Sequence, residues 1–354
     1  MKILYGVQGT GNGHISRARI MAKCFNKLGV DVDYIFSGRA SDKYFDMQEF
    51  GNYRNFQGMS FSSKSGEVKV FDTLRQVKLG QFWQDVNNLD LSQYDVVLND
   101  FEPVTAWAAR RQNKASIAIS HQASFNYPVP MQGAKWTDKQ LLRYFAPANV
   151  HLGVHWYHFG HTIMPPFIEP FEASANKQNK ILVYLPFESL NQVTQLLTAY
   201  SDYEFYCYHP DADDHTFDNV HYRALSRDGF KRDLTDCAGI IANAGFELSS
   251  EAIFLGKRLL LKPLNGQFEQ SSNAHTLDML GLATTMESLD SESVDLFLQG
   301  GESGKVIFPS DPKPVVDWLH QGDWYSPNSL VNELWQQVEF PTQVSDRLKR
   351  LKFG

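Results

Sequence analysis

The hydrophobic period of this chain stops and then starts again, and that interruption limits the folds open to it. Up to about residue 164, short apolar runs alternate with segments of helical spacing. Pro165, Pro166 and Pro170 then precede a polar stretch, Ala173 to Lys180, that has no hydrophobic period. At Ile181-Leu182-Val183-Tyr184-Leu185 the rhythm resumes. A chain of 354 residues exceeds what one core usually holds, so the interruption predicts two domains and a linker. In the first half, Lys2 to Val7, Val30 to Phe36, Asp95 to Asp100 and Ala115 to Ser120 read as strands. Ile15 to Leu28 and Pro103 to Arg111 read as helices. In the second half the strands are 181–185, Tyr203 to Tyr208, Gly239 to Ala242 and Leu259 to Leu261, with helices at Ser189 to Tyr200 and Phe246 to Leu255. Strands alternating with helices imply parallel sheets covered on both faces. Two such units set a cleft between the carboxyl ends of their sheets, where ligands bind. The expectation is an α/β chain with an acceptor-side domain at 1–165, a linker at 166–180, a second domain at 181–340 and a basic helix or tail at 341–354.

Composition narrows the class without naming a chemistry. Hydrophobic residues make up 43% and charged residues 21%, an ordinary globular balance. A formal net charge of -7 argues against a nucleic-acid partner held by bulk electrostatics. Three cysteines, Cys24, Cys207 and Cys237, lack metal-ligand spacing and fit buried free thiols in a reducing compartment. Met1 to Val7 reaches glycine and polar residues too early for a signal-peptide core, and no apolar run approaches the length of a spanning helix. These features predict a cytoplasmic protein, attached at most to the inner face of a membrane. No repeat of fixed period and no low-complexity tract is present.

Gly9-Thr10-Gly11-Asn12-Gly13-His14 joins the first strand to the first helix. Alternate glycines allow a tight turn and a close approach to a ligand, and the helix beyond offers free N–H groups to an anion. The dinucleotide fingerprint does not fit, because one residue rather than two separates Gly11 from Gly13. Phe36-Ser37-Gly38 also stands where an acidic residue would close the second strand. A Walker-type loop is absent as well. His14 sits where the turn becomes helix, as a base or phosphate contact or as a packing residue.

The richest segment runs from Ile240 to Gly281. Asn243-Ala244-Gly245 opens a helix that carries Glu251, and Gly256 ends it. After Pro263 a polar loop supplies Gln267, Glu269 and Gln270 before Asn273-Ala274. Two helix N-termini beside carboxylates and amides suit a diphosphate and a pair of ribose hydroxyls.

This segment resembles the donor-binding signature of inverting nucleotide-sugar glycosyltransferases of the GT-B type, which have two Rossmann-like domains facing each other across a cleft. It is similar to the UDP-glycosyltransferases and to the peptidoglycan N-acetylglucosaminyltransferase that acts on a lipid-linked acceptor. The glycine-rich turn also resembles the latter's. Asp100-Phe101-Glu102-Pro103, Ser120-His121-Gln122 and Pro165-Pro166 look like recurring segments of a poorly characterised microbial family of predicted glycosyltransferases. The resemblance implies a nucleotide-sugar donor, UDP-linked, and no cofactor or metal. It places Glu251 on the ribose, Glu269 and Gln270 on the donor sugar, and Asn243, Ala244 and Gly245 by the diphosphate. Leu225 to Phe230 would cradle the base. Two positions depart from the pattern. Asn243 replaces a frequent histidine, and Gly256-Lys257-Arg258 replaces Gly-x-Pro. The paired glutamates of retaining relatives, seven residues apart, have no counterpart, since Glu247 and Glu251 are four apart. Inversion is therefore expected.

Inversion needs one base at the acceptor hydroxyl. His14, Asp100, Glu102 and His121 are the candidates, with Gln122 beside His121 on the acceptor side. His151, His155, His158 and His161 resemble a metal cluster, but Gly153, Gly160 and intervening aromatics argue for irregular or extended structure and against one. The basic amphipathic run Arg347 to Phe353 suits a peripheral contact with an anionic membrane, or a solvated helix end. The acceptor, whether glycan, lipid or small molecule, is not legible. A UDP-sugar 2-epimerase and a non-catalytic nucleotide-sugar-binding regulator share the expected architecture.

Overall fold

The computed structural model describes residues 1–59, 63–64, 67–68, 79–171, 174–301 and 304–351. The expected α/β architecture is present as two seven-stranded sheets. The first half contributes β1 (Lys2–Gln8), β2 (Asp31–Ser37), β3 (Arg54–Phe56), a small hairpin of β4 (Ser63–Lys64) and β5 (Glu67–Val68), β6 (Val96–Asp100), β7 (Ser116–Ser120), β8 (Val150–Val154) and β9 (Ile163–Met164). Its sheet runs β3-β2-β1-β6-β7-β8-β9, with every neighbouring pair parallel. The second half contributes β10 (Lys177–Tyr184), β11 (Glu204–Tyr208), β12 (His215–Phe217), β13 (Val220–Arg223), β14 (Cys237–Ala242), β15 (Arg258–Leu261) and β16 (Thr284–Thr285). Its order is β12-β13-β11-β10-β14-β15-β16, antiparallel only between β12 and β13.

Both sheets reverse their winding near the middle, β1 beside β6 in the first and β10 beside β14 in the second. The carboxyl ends at such a reversal diverge and leave a crevice. The glycine-rich turn leaves β1 at the first reversal, and Asn243-Ala244-Gly245 leaves β14 at the second. The two segments singled out in the sequence therefore both lie at a reversal, one in each half.

Strands β1, β6, β7, β14 and β15, and β10 from Lys180 to Val183, are buried almost throughout, which is why most of them read as continuous apolar runs. Several boundaries differ from expectation, among them the helix expected at Ser189 to Tyr200, which spans Leu190–Leu197. β10 begins at Lys177, inside the segment read as linker, because Lys177 pairs with Cys237 ahead of a register shift and its ammonium meets Asp236 at 2.7 Å. The first helix, Asn12–Leu28, starts two residues after Thr10, so Asn12, Gly13 and His14 form its opening turn. The helices Lys313–Gln321 and Asn328–Trp335 leave the second half and return to the first. The former packs on helix 12–28, and Trp335 Nε1 of the latter donates to Ile163 O at 2.7 Å.

The terminal helix Thr342–Arg350 lies against the helix Phe268–Leu280. Arg347, read as part of a basic surface run, donates to the carbonyls of Asp278 and Met279 at 3.4 and 3.3 Å. It thereby caps that helix at its electronegative end. Lys352 and Phe353 lie outside the described residues. Among the described residues no helix is long and apolar enough to cross a membrane. All three cysteines are buried and unpaired.

Candidate active site

His14 projects from the first turn of helix 12–28, and its Nδ1 lies 2.7 Å from Asp100 Oδ1. Asp100 is the last residue of β6 and is wholly buried. Its other partner is Arg17, one turn beyond His14. Arg17 Nε donates to Oδ2 and Nη2 to Oδ1, both at 2.8 Å. Burial alone would raise the Asp100 carboxyl, but the Arg17 guanidinium and His14 reverse that and hold it below the usual range. An ionised carboxylate only accepts, so His14 Nδ1 must carry the hydrogen, although Arg17 Nη2 also approaches it at 3.2 Å. The Nε2 lone pair then points away from Asp100. It has no hydrogen-bond partner among the described residues, and the side chain keeps 14% exposure.

Arg17 also reaches across the cleft. Its Nη1 pairs with Glu247 Oε1, in the first turn of the helix Phe246–Leu255 in the second half. Glu247, Arg17, Asp100 and His14 thus form one chain of charge-assisted contacts spanning both halves. Burial pushes the Glu247 carboxyl up, and Arg17 offsets part of that rise.

The glycines of the turn have distinct causes. A side chain at Gly9 would strike the Tyr44 hydroxyl, and one at Gly13 would meet Glu247 Cγ at 3.0 Å. Gly13 therefore lets the two halves approach, and only Gly11 faces open space. Arg39 ties the turn down, donating to Thr10 O at 3.2 Å and to Asn12 Oδ1 at 3.0 Å.

On the opposite side, Asn243, Ala244 and Gly245 follow β14. Gly245 begins helix 246–255 in extended conformation without a side-chain cap, and helix 268–280 also begins uncapped, at Gln267. Both helices therefore present first-turn N–H groups to a ligand. Asn243 Nδ2 donates to Lys262 O at 2.8 Å. The oxygens Asn243 Oδ1, Gln267 Oε1 and Gln122 Oε1 are buried without partners among the described residues. Such orphan acceptors are uncommon, and a ligand or water would satisfy them.

Glu251 is half-buried one turn below Glu247, and among the described residues it makes no hydrogen bond. Burial and then the neighbouring Glu247 push its pKa up to about 8, against the pull of Lys231 and Arg227. Phe230 packs edge-on to Tyr184 and Tyr208, at 5.3 and 5.1 Å between ring centres, while Leu225 is exposed at the head of the same segment. The carboxylate and the aromatic ring thus belong to adjacent helices, 246–255 and Arg227–Asp236.

Several expected site residues have other positions. Glu102, read as a base or acceptor contact, is fully buried as the cap of helix 103–111. It accepts from Val104 N, Thr105 N, Thr105 Oγ1 and Ser37 Oγ at 2.6 to 2.8 Å, so no lone pair faces the cleft. Asp100 acts on His14 and has no exposed atom with which to meet an acceptor. His121 is also buried. Its ring nitrogens lie 2.9 Å from Val154 O and 2.7 Å from Asn273 Oδ1, and its ring stacks on Phe246 at 4.0 Å. With both nitrogens engaged it ties the halves together and is not placed as a base. Gln122 Nε2 donates to both oxygens of Glu269 at 3.1 Å, a second bridge across the cleft. Gln270 Oε1 accepts from Leu264 N at 3.0 Å and shapes the loop before helix 268–280.

Arg17 and Glu247 carry the site yet went unread as site residues. The signal for Arg17 was its place in the stripe Ile15, Ala18, Met21, Ala22, because a charge on an apolar helix face needs a buried partner. Among the described residues, no group of three or more histidine, cysteine, aspartate or glutamate side chains is placed to hold a metal.

Over residues 1–300 the sequence matches the family model described as glycosyl transferase family 1. The chain belongs to that family. As a member it is a glycosyltransferase with a nucleotide sugar as donor class. Solved structures similar to the glycosyltransferase include LpCGTa in complex with UDP, at TM-score 0.61 and 11% identity over 99% of this chain and 98% of that one. SsfS6, a glycosyltransferase of Streptomyces sp. SF2575, aligns at TM-score 0.58 and 10% identity over 99% of both chains. MurG of Acinetobacter baumannii aligns at TM-score 0.51 and 15% identity over 91% of this chain and 100% of that one. At these identities the likeness shows the fold, which is the GT-B arrangement. No curated protein matches the sequence.

Proposed function

We propose that this glycosyltransferase moves a sugar from UDP to an acceptor hydroxyl in a single displacement, with inversion at the anomeric carbon. The observation that carries this reading is the His14–Asp100 pair at the switch point of the first sheet, across the cleft from the uncapped helix 246–255. His14 Nε2 takes the hydroxyl proton while the acceptor oxygen bonds to the anomeric carbon. The bond from that carbon to the diphosphate oxygen breaks, and the leaving charge falls on the N–H groups of helix 246–255. Asp100 fixes the imidazole's tautomer and stabilises the imidazolium that forms, while Arg17 keeps Asp100 ionised. Glu251 receives the ribose hydroxyls. UDP as the nucleotide rests on the donor-motif resemblance and on the UDP bound to LpCGTa, and charge stabilisation by helix ends makes the reaction metal-independent. Inversion is favoured because Glu247, the carboxylate nearest His14 from the donor half, is engaged by Arg17 and is not available as a nucleophile.

Isothermal titration of UDP in the presence of a chelator tests the donor assignment. Binding without divalent metal is the expected result, and binding that appears only when a divalent ion is added overturns the metal-independent reading.

A further inference from the structure

The histidine-rich run that the catalytic cleft does not use forms one wall of a second site. His158, Gly160, His161 and Thr162 lie in the loop between β8 and β9, facing Asn332 and Trp335 across an open groove of about 720 Å³. That volume falls within the range of small-molecule and cofactor sites. The loop is shaped for the purpose by two successive left-handed residues, Phe159 at φ 50° and Gly160 at φ 80°. A non-glycine residue in that region is uncommon and held there by its surroundings. The opposite wall is firmly anchored. Trp335 Nε1 donates to Ile163 O at 2.7 Å, and its ring stacks on Phe340.

The chemistry of the lining selects a ligand class. Asn328, Asn332 and Gln336 recur every fourth residue, so they share one face of the helix, and all three are exposed. Their amides make no side-chain hydrogen bond among the described residues, so each offers both donors and an acceptor. His158 Nδ1 accepts from Gly160 N at 2.9 Å, which leaves Nε2 as a donor. Aromatic surface comes from Trp335 and from Tyr127, which stacks on His161 at 5.5 Å. No lysine, arginine, aspartate or glutamate lines the groove among the described residues. A phosphorylated or carboxylated ligand would therefore lose its hydration without gaining a counter-charge. A ligand rich in neutral hydroxyls, with apolar C–H faces to lay on the rings, matches amides, imidazoles and aromatics together. We propose that this groove is a binding site for a neutral oligosaccharide, separate from the donor pocket. Tyr127 stands five residues beyond Gln122, just past the short helix His121–Ser124 that bridges the cleft, so the groove and the acceptor half share one structural support.

Isothermal titration with maltotetraose, cellotetraose, chitotetraose and mannotetraose, each against the full chain saturated with UDP, tests the assignment. The expected result is binding of at least one of the four that Asn332→Leu and Gln336→Leu each weaken at least about tenfold. Both side chains are exposed and unpaired, so the variants fold, as an unchanged melting temperature will show. UDP affinity stays the same in both variants, so failure here is distinguishable from failure of the donor assignment. Absence of binding by all four, or binding unaffected by both substitutions, overturns the proposal. So does tighter binding of an anionic tetrasaccharide, or a groove that takes up Zn²⁺ through His158 and His161 instead.

Discussion

Replacing Arg17 with methionine removes the guanidinium that pairs with both Asp100 and Glu247. Asp100 has no exposed surface, and two of its hydrogen bonds come from Arg17 at 2.8 Å. Removing one partner of a buried ion pair costs about 3–5 kcal/mol, because it strands the other charge. The hydrogen bond from His14 at 2.7 Å remains, which favours the lower end. For domains of this size each kcal/mol shifts the melting temperature by roughly 2–4 °C, so Arg17→Met should lower it by about 6–20 °C. Differential scanning calorimetry at pH 7 measures the shift. The combined Arg17→Met/Asp100→Asn variant should be more stable than Arg17→Met alone, because no unpaired buried charge is left. A shift below about 2 °C, or a double variant that falls by the sum of the single losses, would refute the account of Arg17 as the counter-ion of Asp100.

Glu251, with a pKa of about 8, is mostly protonated at pH 7, whereas ribose hydroxyls donate best to the ionised form. UDP affinity should therefore rise about tenfold from pH 7 to pH 9, and Glu251→Gln should flatten that rise; a wild-type affinity independent of pH would show that Glu251 does not meet the nucleotide. The raised pKa also means that the folded chain holds a proton there which the unfolded chain has released. Between the ordinary carboxyl range and pH 8, Glu251 thus lowers stability as pH rises, and thermal melts of Glu251→Gln should show a shallower decline over that window. Glu102→Ala should cost about 1–3 kcal/mol by stranding its donors while leaving UDP affinity unchanged, and a folded variant that no longer binds UDP would return Glu102 to the cleft.

The fold was legible because buried parallel strands announce themselves as apolar runs. Helices 103–111 and 246–255 were equally clear, the first from its proline start and the second from its glycine end. The donor motif was legible as a group of helix starts with polar side chains between them. The partners were less so. Arg17 meets Glu247 across 230 positions of sequence, and nothing in local spacing foretells such a pair. Glu102 and His121 looked like site residues because they stand at strand ends, where caps and bridges stand as well. Whether a side chain there faces inward or into the cleft depends on neighbours such as Ser37 and Asn273, brought in from elsewhere. Helix 328–335 belongs spatially to the first half although it follows the second in sequence, which is why the groove beside Trp335 was not foreseen.

We propose His14, held by Asp100, as the base for transfer from a nucleotide sugar bound in the second half. The most direct test is the rate of UDP release from a panel of UDP-sugars, with water as acceptor, compared between wild type and His14→Ala at matched UDP occupancy. The expected result is measurable release from at least one donor by the wild type, a loss of about 100-fold or more in His14→Ala, and an unchanged affinity for UDP in that variant. No release from any donor, or equal release by both proteins, would contradict it.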